Sequence, residues 1–189
     1  MNKELEEKGY IVIRNFLPKD FCKFTNVYFK IKQDALQYEI DSQCPKSKSF
    51  YADAICESIL ITGRNKLAEL TNIDLIPQYS YARIYGRGDE LKMHRDRPEC
   101  QYSATICLGR PENEPNSAIY MSKVEDEASG EELWLEEGDI CFYRGTEMYH
   151  WRKPFIQSWY LQTFLHYVDR NGPFGNRILD GRRSLGVRL

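Results

Sequence analysis

From residue 73 to residue 168 the chain reads as a succession of short strands divided by turn residues, and this run limits the fold more than any other feature. Residues 77–85 alternate in character and stop at Gly86-Arg87-Gly88. Residues 102–108, 117–121, 132–135, 139–143, 148–151 and 159–168 follow as further strands. Gly109-Arg110-Pro111, Pro115-Asn116, Ser129-Gly130 and Glu137-Gly138-Asp139 separate them, and these are residue types that turns select for their backbone freedom or local hydrogen bonding. Strands this short must bury one face against another layer, which points to a sandwich or a jelly-roll barrel.

The first third differs in texture. Residues 9–16 are β-branched and aromatic and predict a short strand. Pro18, Lys19 and Asp20 then open a helical pattern in which Phe21, Phe24, Val27, Tyr28 and Ile31 form one apolar stripe, expected to face the core. Residues 42–49, around Pro45, read as a loop. Residues 52–70 return to helical spacing through Ile55, Ile59, Leu67 and Leu70, with a break expected at Thr62-Gly63. The fold class is therefore α+β: helices over about 1–72 packed on one sheet, a jelly roll over about 73–168, and an arginine-rich tail over 169–189 carrying Arg170, Arg177, Arg182, Arg183 and Arg188. The tail is expected to pack on the surface, and the acidic stretch 125–137 to form a solvated hairpin.

At 189 residues, 42% hydrophobic and 13% aromatic, the chain has the size and composition of one globular domain. A formal net charge of −2 exerts no general pull toward nucleic acid. No apolar run approaches membrane-spanning length, and the charged start lacks a signal-peptide core. Six cysteines are scattered without a C-x-x-C pair, which argues against a zinc ribbon and a disulfide framework. A cytoplasmic, reduced protein is expected; nothing in the sequence speaks to oligomeric state.

The chemistry concentrates at His94-Arg95-Asp96. Side chains two apart on a strand share a face, so an imidazole and a carboxylate can aim at one point. With a distant second histidine this makes a 2-His-1-carboxylate triad, a donor set suited to Fe(II). The chain holds three histidines, leaving His150 or His166 as the third ligand. A strand ends near Gly145 and His150 begins the next, between Tyr149 and Trp151, so the turn returns it toward His94. His150 is the expected ligand; His166, on the last strand, is expected in the core or beside the site.

These segments together resemble the Fe(II)/2-oxoglutarate-dependent oxygenases, in the prolyl-4-hydroxylase-like branch. The resemblance rests on Tyr85 to Gly88, on His94-x-Asp96, on the Gly138-Asp139 strand, on His150 and on the opening 9–18, and it covers nearly the whole chain to about residue 168. It implies a double-stranded β-helix with iron at its mouth. The implied ligands are His94, Asp96 and His150, with 2-oxoglutarate as cosubstrate and O2 as oxidant. The implied reaction hydroxylates a protein prolyl residue or a small molecule and releases succinate and CO2. Tyr85 matches the family tyrosine that bonds the cosubstrate.

In the family a Lys or Arg for the far carboxylate of the cosubstrate stands nine to ten residues beyond the distal histidine; here those positions hold Trp159 and Tyr160. A buried carboxylate still needs a cation, and arginine supplies two parallel charge-assisted bonds. Arg152, two residues beyond His150, points the same way and deeper, and takes that role. Tyr160 and Gln162 share the inward face of the last strand and are secondary donors. Arg144, Arg110 and Arg83 are reserves, and Arg83, Arg95 and Arg97 are also candidates for contact with substrate. Three alternatives stand beside the oxygenase: a cupin-like protein binding metal or ligand without oxygenase activity, an interaction module docking through the tail, and a zinc hydrolase.

Overall fold

The computed structural model describes residues 2–187, so Arg188 lies outside the described residues. Helix α1 (Lys3–Lys8) leads into β1 (Tyr10–Ile13), α2 (Lys19–Asp34), β2 (Lys48–Tyr51) and α3 (Ala54–Thr71). Eight strands follow: β3 (Leu75–Gly86), β4 (Leu91–His94), β5 (Tyr102–Gly109), β6 (Ile119–Ser122), β7 (Glu131–Leu133), β8 (Ile140–Arg144), β9 (Tyr149–Arg152) and β10 (Trp159–Asp169). Among the described residues these strands pair antiparallel throughout. They make a six-stranded sheet ordered β1-β8-β5-β10-β3-β2 and a four-stranded sheet ordered β4-β9-β6-β7.

Strand alternation divides the core in two. On β5, β8 and β10 the residues Ala104, Ile106, Leu108, Ile140, Phe142, Leu161 and Leu165 face Phe29, Cys56, Leu60 and Leu67 of the helices. Their sequence neighbours Cys107, Cys141, Tyr143, Tyr160 and Phe164 face Leu91, Ile119, Met121 and Phe155 on the side of the four-stranded sheet. Both faces of the six-stranded sheet are thus covered, which is why all eight residues of β5 are buried. Tyr167 keeps to the helix side with Leu161 and Leu165, its hydroxyl donating to Leu60 O at 2.9 Å.

Helices do pack on one sheet, but three local expectations need correction. The stripe on α2 holds only in part: Phe21 and Tyr28 pack against the core, but Phe24, Val27 and Ile31 are 62%, 60% and 62% exposed, and Cys22, Thr25 and Phe29 are the buried residues. The loop around Pro45 gives way at Lys48 to β2, which pairs with β3 at the edge of the large sheet. No break interrupts α3; Gly63 is there for packing, since a Cβ on it would stand 3.2 Å from the Phe16 ring.

The tail packs as expected and goes deeper than a surface layer. The Arg182 side chain is fully buried, with Nη1 3.0 Å from Glu57 Oε2 on α3. Arg170 pairs with Asp74, and Arg177 with Glu99 and Asp180. All six cysteines among the described residues are buried and unpaired. Residues 125–137 are largely exposed, as a solvated hairpin requires. Among the described residues no helix is long and apolar enough to cross a membrane.

Candidate metal centre

Strand β4 is four residues long and pairs with β9 so that His94 stands directly opposite His150. The expectation that His94 and Asp96 ride one strand is corrected here, because β4 ends at His94. Asp96 lies just beyond, its backbone N–H donating to Gly145 O at 2.9 Å. The carboxylate comes instead from the irregular segment just past the strand end. Ligand atoms of His94, Asp96 and His150 all lie within 4.8 Å of one another. The two imidazole centroids are 4.2 Å apart, and Asp96 Oδ1 is 3.6 Å from His150 Nε2 and 4.0 Å from His94 Nε2.

Each imidazole is oriented by its own strand. His94 Nδ1–H donates to Lys92 O at 2.8 Å and His150 Nδ1–H to Met148 O at 3.2 Å. In both, Nε2 then carries the lone pair and faces the shared point. Gln43 supports this tautomer: its Oε1 accepts from Arg83 at 3.1 Å, so its amide nitrogen donates to His94 Nε2 at 3.1 Å. Burial lowers His150 to about 4; burial first and the neighbouring His150 second lower His94. Both rings are therefore neutral near pH 7, the form that ligates metal.

Asp96 Oδ2 is held by Ser103, whose hydroxyl donates at 2.5 Å. Ser103 Oγ in turn lies 2.9 Å from Nδ1 of His166, which burial lowers to about 4. His166 thus sits beside the site, linked to it and outside the ligand cluster. Ser103 carries no signal in the sequence; only the register that sets it opposite His166 reveals it.

Arg152 occupies the inward face of β9, 1% exposed. Its Nη1 donates to Ser117 O at 3.0 Å, while Nε and Nη2 have no partner among the described residues. The guanidinium lies 4.7 Å from the Tyr160 ring centroid and 5.5 Å from that of Phe155. Tyr160 Oη and Gln162 Oε1 are likewise buried and unpartnered, and the Gln162 amide nitrogen is given to Thr105 Oγ1. Tyr85 stacks on Phe155 at 4.5 Å and accepts from Arg83 Nη1 at 3.2 Å.

The remaining arginines separate clearly. Arg83 meets an acid: its Nη2 is 2.7 Å from Asp41 Oδ2. Burial raises the Asp41 carboxyl, but hydrogen bonds from Tyr81 and the Cys44 backbone, and the charge of Arg83, outweigh it and hold the group well below the usual carboxylate range. Arg97 is tied to Asp180 at 2.6 Å, and Arg95 lies over the Tyr149 ring at 4.7 Å. Arg144 pairs with Glu147 and Arg110 with Glu136, so the structure gives both reserves other partners. The sequence reading missed Asp41 and Gln43, which sit in the segment read as loop and its approach. A cavity of ≈ 360 Å³ lined by Asp41, Gln43, Arg83, His94 and His150 touches the cluster from one side. A second, of ≈ 660 Å³, is lined by Arg95, Tyr149, Pro173 and Phe174 and also reaches His94 and Asp96.

The donor set fits a divalent ion of the Fe(II) class: two neutral imidazoles and one carboxylate from adjoining segments, with cavity space around them. The half-satisfied guanidinium fits a carboxylate, since a buried cation lacking two partners is costly.

No protein-family model matches the sequence, and no curated protein matches it. The fold is that of the 2-oxoglutarate/Fe(II) oxygenases. The particular likenesses include a prolyl-4-hydroxylase from Pseudomonas putida, with a TM-score of 0.70 and 16% identity over 89% of this chain and 96% of that one. The alpha-ketoglutarate-dependent carbocyclase SnoK from nogalamycin biosynthesis aligns over 100% of this chain and 93% of its own, with a TM-score of 0.72 and 14% identity. HygX from Streptomyces hygroscopicus, with nickel and 2-oxoglutarate bound, has a TM-score of 0.66 and 12% identity over 89% of this chain and 87% of that one.

Proposed function

We propose that the chain is an Fe(II)- and 2-oxoglutarate-dependent oxygenase, built as a double-stranded β-helix. His94, Asp96 and His150 hold the metal. The observation that carries the cosubstrate assignment is Arg152, a buried guanidinium with two free donor nitrogens, one strand step past the ligand His150. Such a step spans about 6–7 Å, the scale of a short dicarboxylate. When bound, iron, 2-oxoglutarate and O2 supply the oxidising chemistry: substrate R–H, 2-oxoglutarate and O2 become R–OH, succinate and CO2.

The chain's own residues bind, orient and neutralise. Arg152 would pair with the far carboxylate through Nε and Nη2, and the unpartnered hydroxyl of Tyr160, whose ring centroid lies 4.7 Å from the guanidinium, would support it. Tyr85, stacked on Phe155, closes the apolar wall beside them. The substrate, a small molecule or a peptide, approaches through the cavity bounded by Arg95, Tyr149 and Phe174. A cupin-like protein that binds metal alone has no use for Arg152 in this state.

The test is an anaerobic titration of the Fe(II)-loaded protein with 2-oxoglutarate, expected to develop a visible charge-transfer band, together with succinate formation in air. His94→Ala and Asp96→Ala abolish both signals; unchanged turnover in these variants rejects the assignment. Arg152→Ala loses a charge-assisted pair of about 1.5–3 kcal/mol, so the KM for 2-oxoglutarate rises roughly ten- to hundredfold. No heat of 2-oxoglutarate binding to the iron-loaded protein sustains the cupin-like reading instead.

A further inference from the structure

We infer that Ser103 and His166 are positioning residues that hold Asp96 as a one-oxygen ligand; the inference rests on the metal assignment above. Ser103 on β5 and His166 on β10 are register partners on the face of the large sheet that looks toward the metal cluster. A serine hydroxyl has a single hydrogen to give. The 2.5 Å contact to Asp96 Oδ2 uses it, because the carboxylate can only accept. The 2.9 Å contact between Ser103 Oγ and His166 Nδ1 must then run the other way, from Nδ1–H to the hydroxyl oxygen. Donation passes from imidazole to hydroxyl to carboxylate, and each donor is spent on the next group.

Two consequences follow from that order. Oδ2 of Asp96 is committed to Ser103, so Oδ1 is the oxygen turned toward His94 and His150. The carboxylate cannot pivot to offer both oxygens to a metal, which preserves open coordination positions for a chelating cosubstrate. The surroundings hold the arrangement rigid. The His166 ring lies against Tyr79 with centroids 4.4 Å apart. Behind the carboxylate stands Gly145, where a Cβ would come within 2.6 Å of Asp96 Oδ2 and 2.7 Å of Ser103 Oγ. Ser103 is fully buried and His166 nearly so, and neither is a ligand, so an apolar pair would fill the space at lower desolvation cost. The polar pair is explained by where its hydrogen bonds lead.

The test is Co(II) affinity of the metal-free protein, read by equilibrium dialysis and by the visible cobalt spectrum. Ser103→Ala is expected to weaken Co(II) about ten- to hundredfold, the usual cost of losing an outer partner of a metal ligand. Ser103→Thr, which keeps the hydroxyl, restores affinity. His166→Phe keeps the ring against Tyr79 but removes the donor, and weakens Co(II) in the same direction. The thermal midpoint of each metal-free variant separates these effects from a general loss of structure. Wild-type affinity and spectrum in Ser103→Ala overturn the inference, provided Asp96→Ala loses Co(II). If Asp96→Ala also binds Co(II) like the wild type, the metal assignment itself fails and takes the inference with it.

Discussion

At the scale of single residues, protonation is set by packing. Burial holds His166 near 4, against an ordinary histidine value of 6.5. Between those values the unfolded chain binds more protons than the folded one, so stability rises with pH across the window. The stability carried by the neutral ring is complete above about pH 6.5 and is lost as the solution is acidified toward pH 4, by an amount on the order of 3 kcal/mol. Urea unfolding of the metal-free protein at pH 7 and pH 5 should show a smaller acid loss in His166→Gln than in the wild type; equal losses would sink the account. The cluster of His94, Asp96 and His150 was legible at this scale because histidine is scarce here and the His-x-Asp spacing is short. Ser103 was not, since serine is common and only the β5–β10 register places it at the carboxylate. Asp41 and Gln43 escaped for a related reason: their partners Arg83 and His94 are 42 and 51 positions away.

At the scale of elements, type was easier to read than facing or extent. Apart from β4, the strands from β3 to β10 fall close to where alternation and turn residues put them, because a two-residue period and glycine or proline punctuation are local properties. Helix α2 shows the failure. Phe24, Val27 and Ile31 have helical spacing and stay exposed, while Cys22, Thr25 and Phe29 supply the buried face. Apolar periodicity identifies a helix; which stripe goes inward is decided by the sheet beneath it, here β5 with its small Ala104 and its aliphatic neighbours. Phe29→Ala should therefore cost about 3–5 kcal/mol, and Phe24→Ser no more than about 0.5 kcal/mol. Comparable losses in chemical denaturation would show that the helix is seated differently. The Asp96 position teaches the same lesson: strand logic brought it to the right place although β4 stops two residues short.

At the scale of the molecule, the arginine-rich tail proved to be part of the core's electrostatics. Glu57 on α3 is 1% exposed and is satisfied by Arg182, by Ser80 and by the Gly186 backbone. Composition could mark the tail as basic; it could not mark which arginine would be swallowed, because that depends on a buried acid far away in sequence. Arg182→Ala leaves a carboxylate without its cation and should cost about 3–5 kcal/mol, whereas Arg183→Ala, at an exposed position, should change little. Equal urea midpoints for the two variants would refute this. The 125 positions between Glu57 and Arg182 also matter for biosynthesis. A ribosome delivers the acid long before the base, so α3 emerges with a carboxylate that cannot yet be desolvated cheaply. The helix side of the molecule is thereby kept from locking down until the strands of both sheets have been translated and the closing arginine arrives to seal them together.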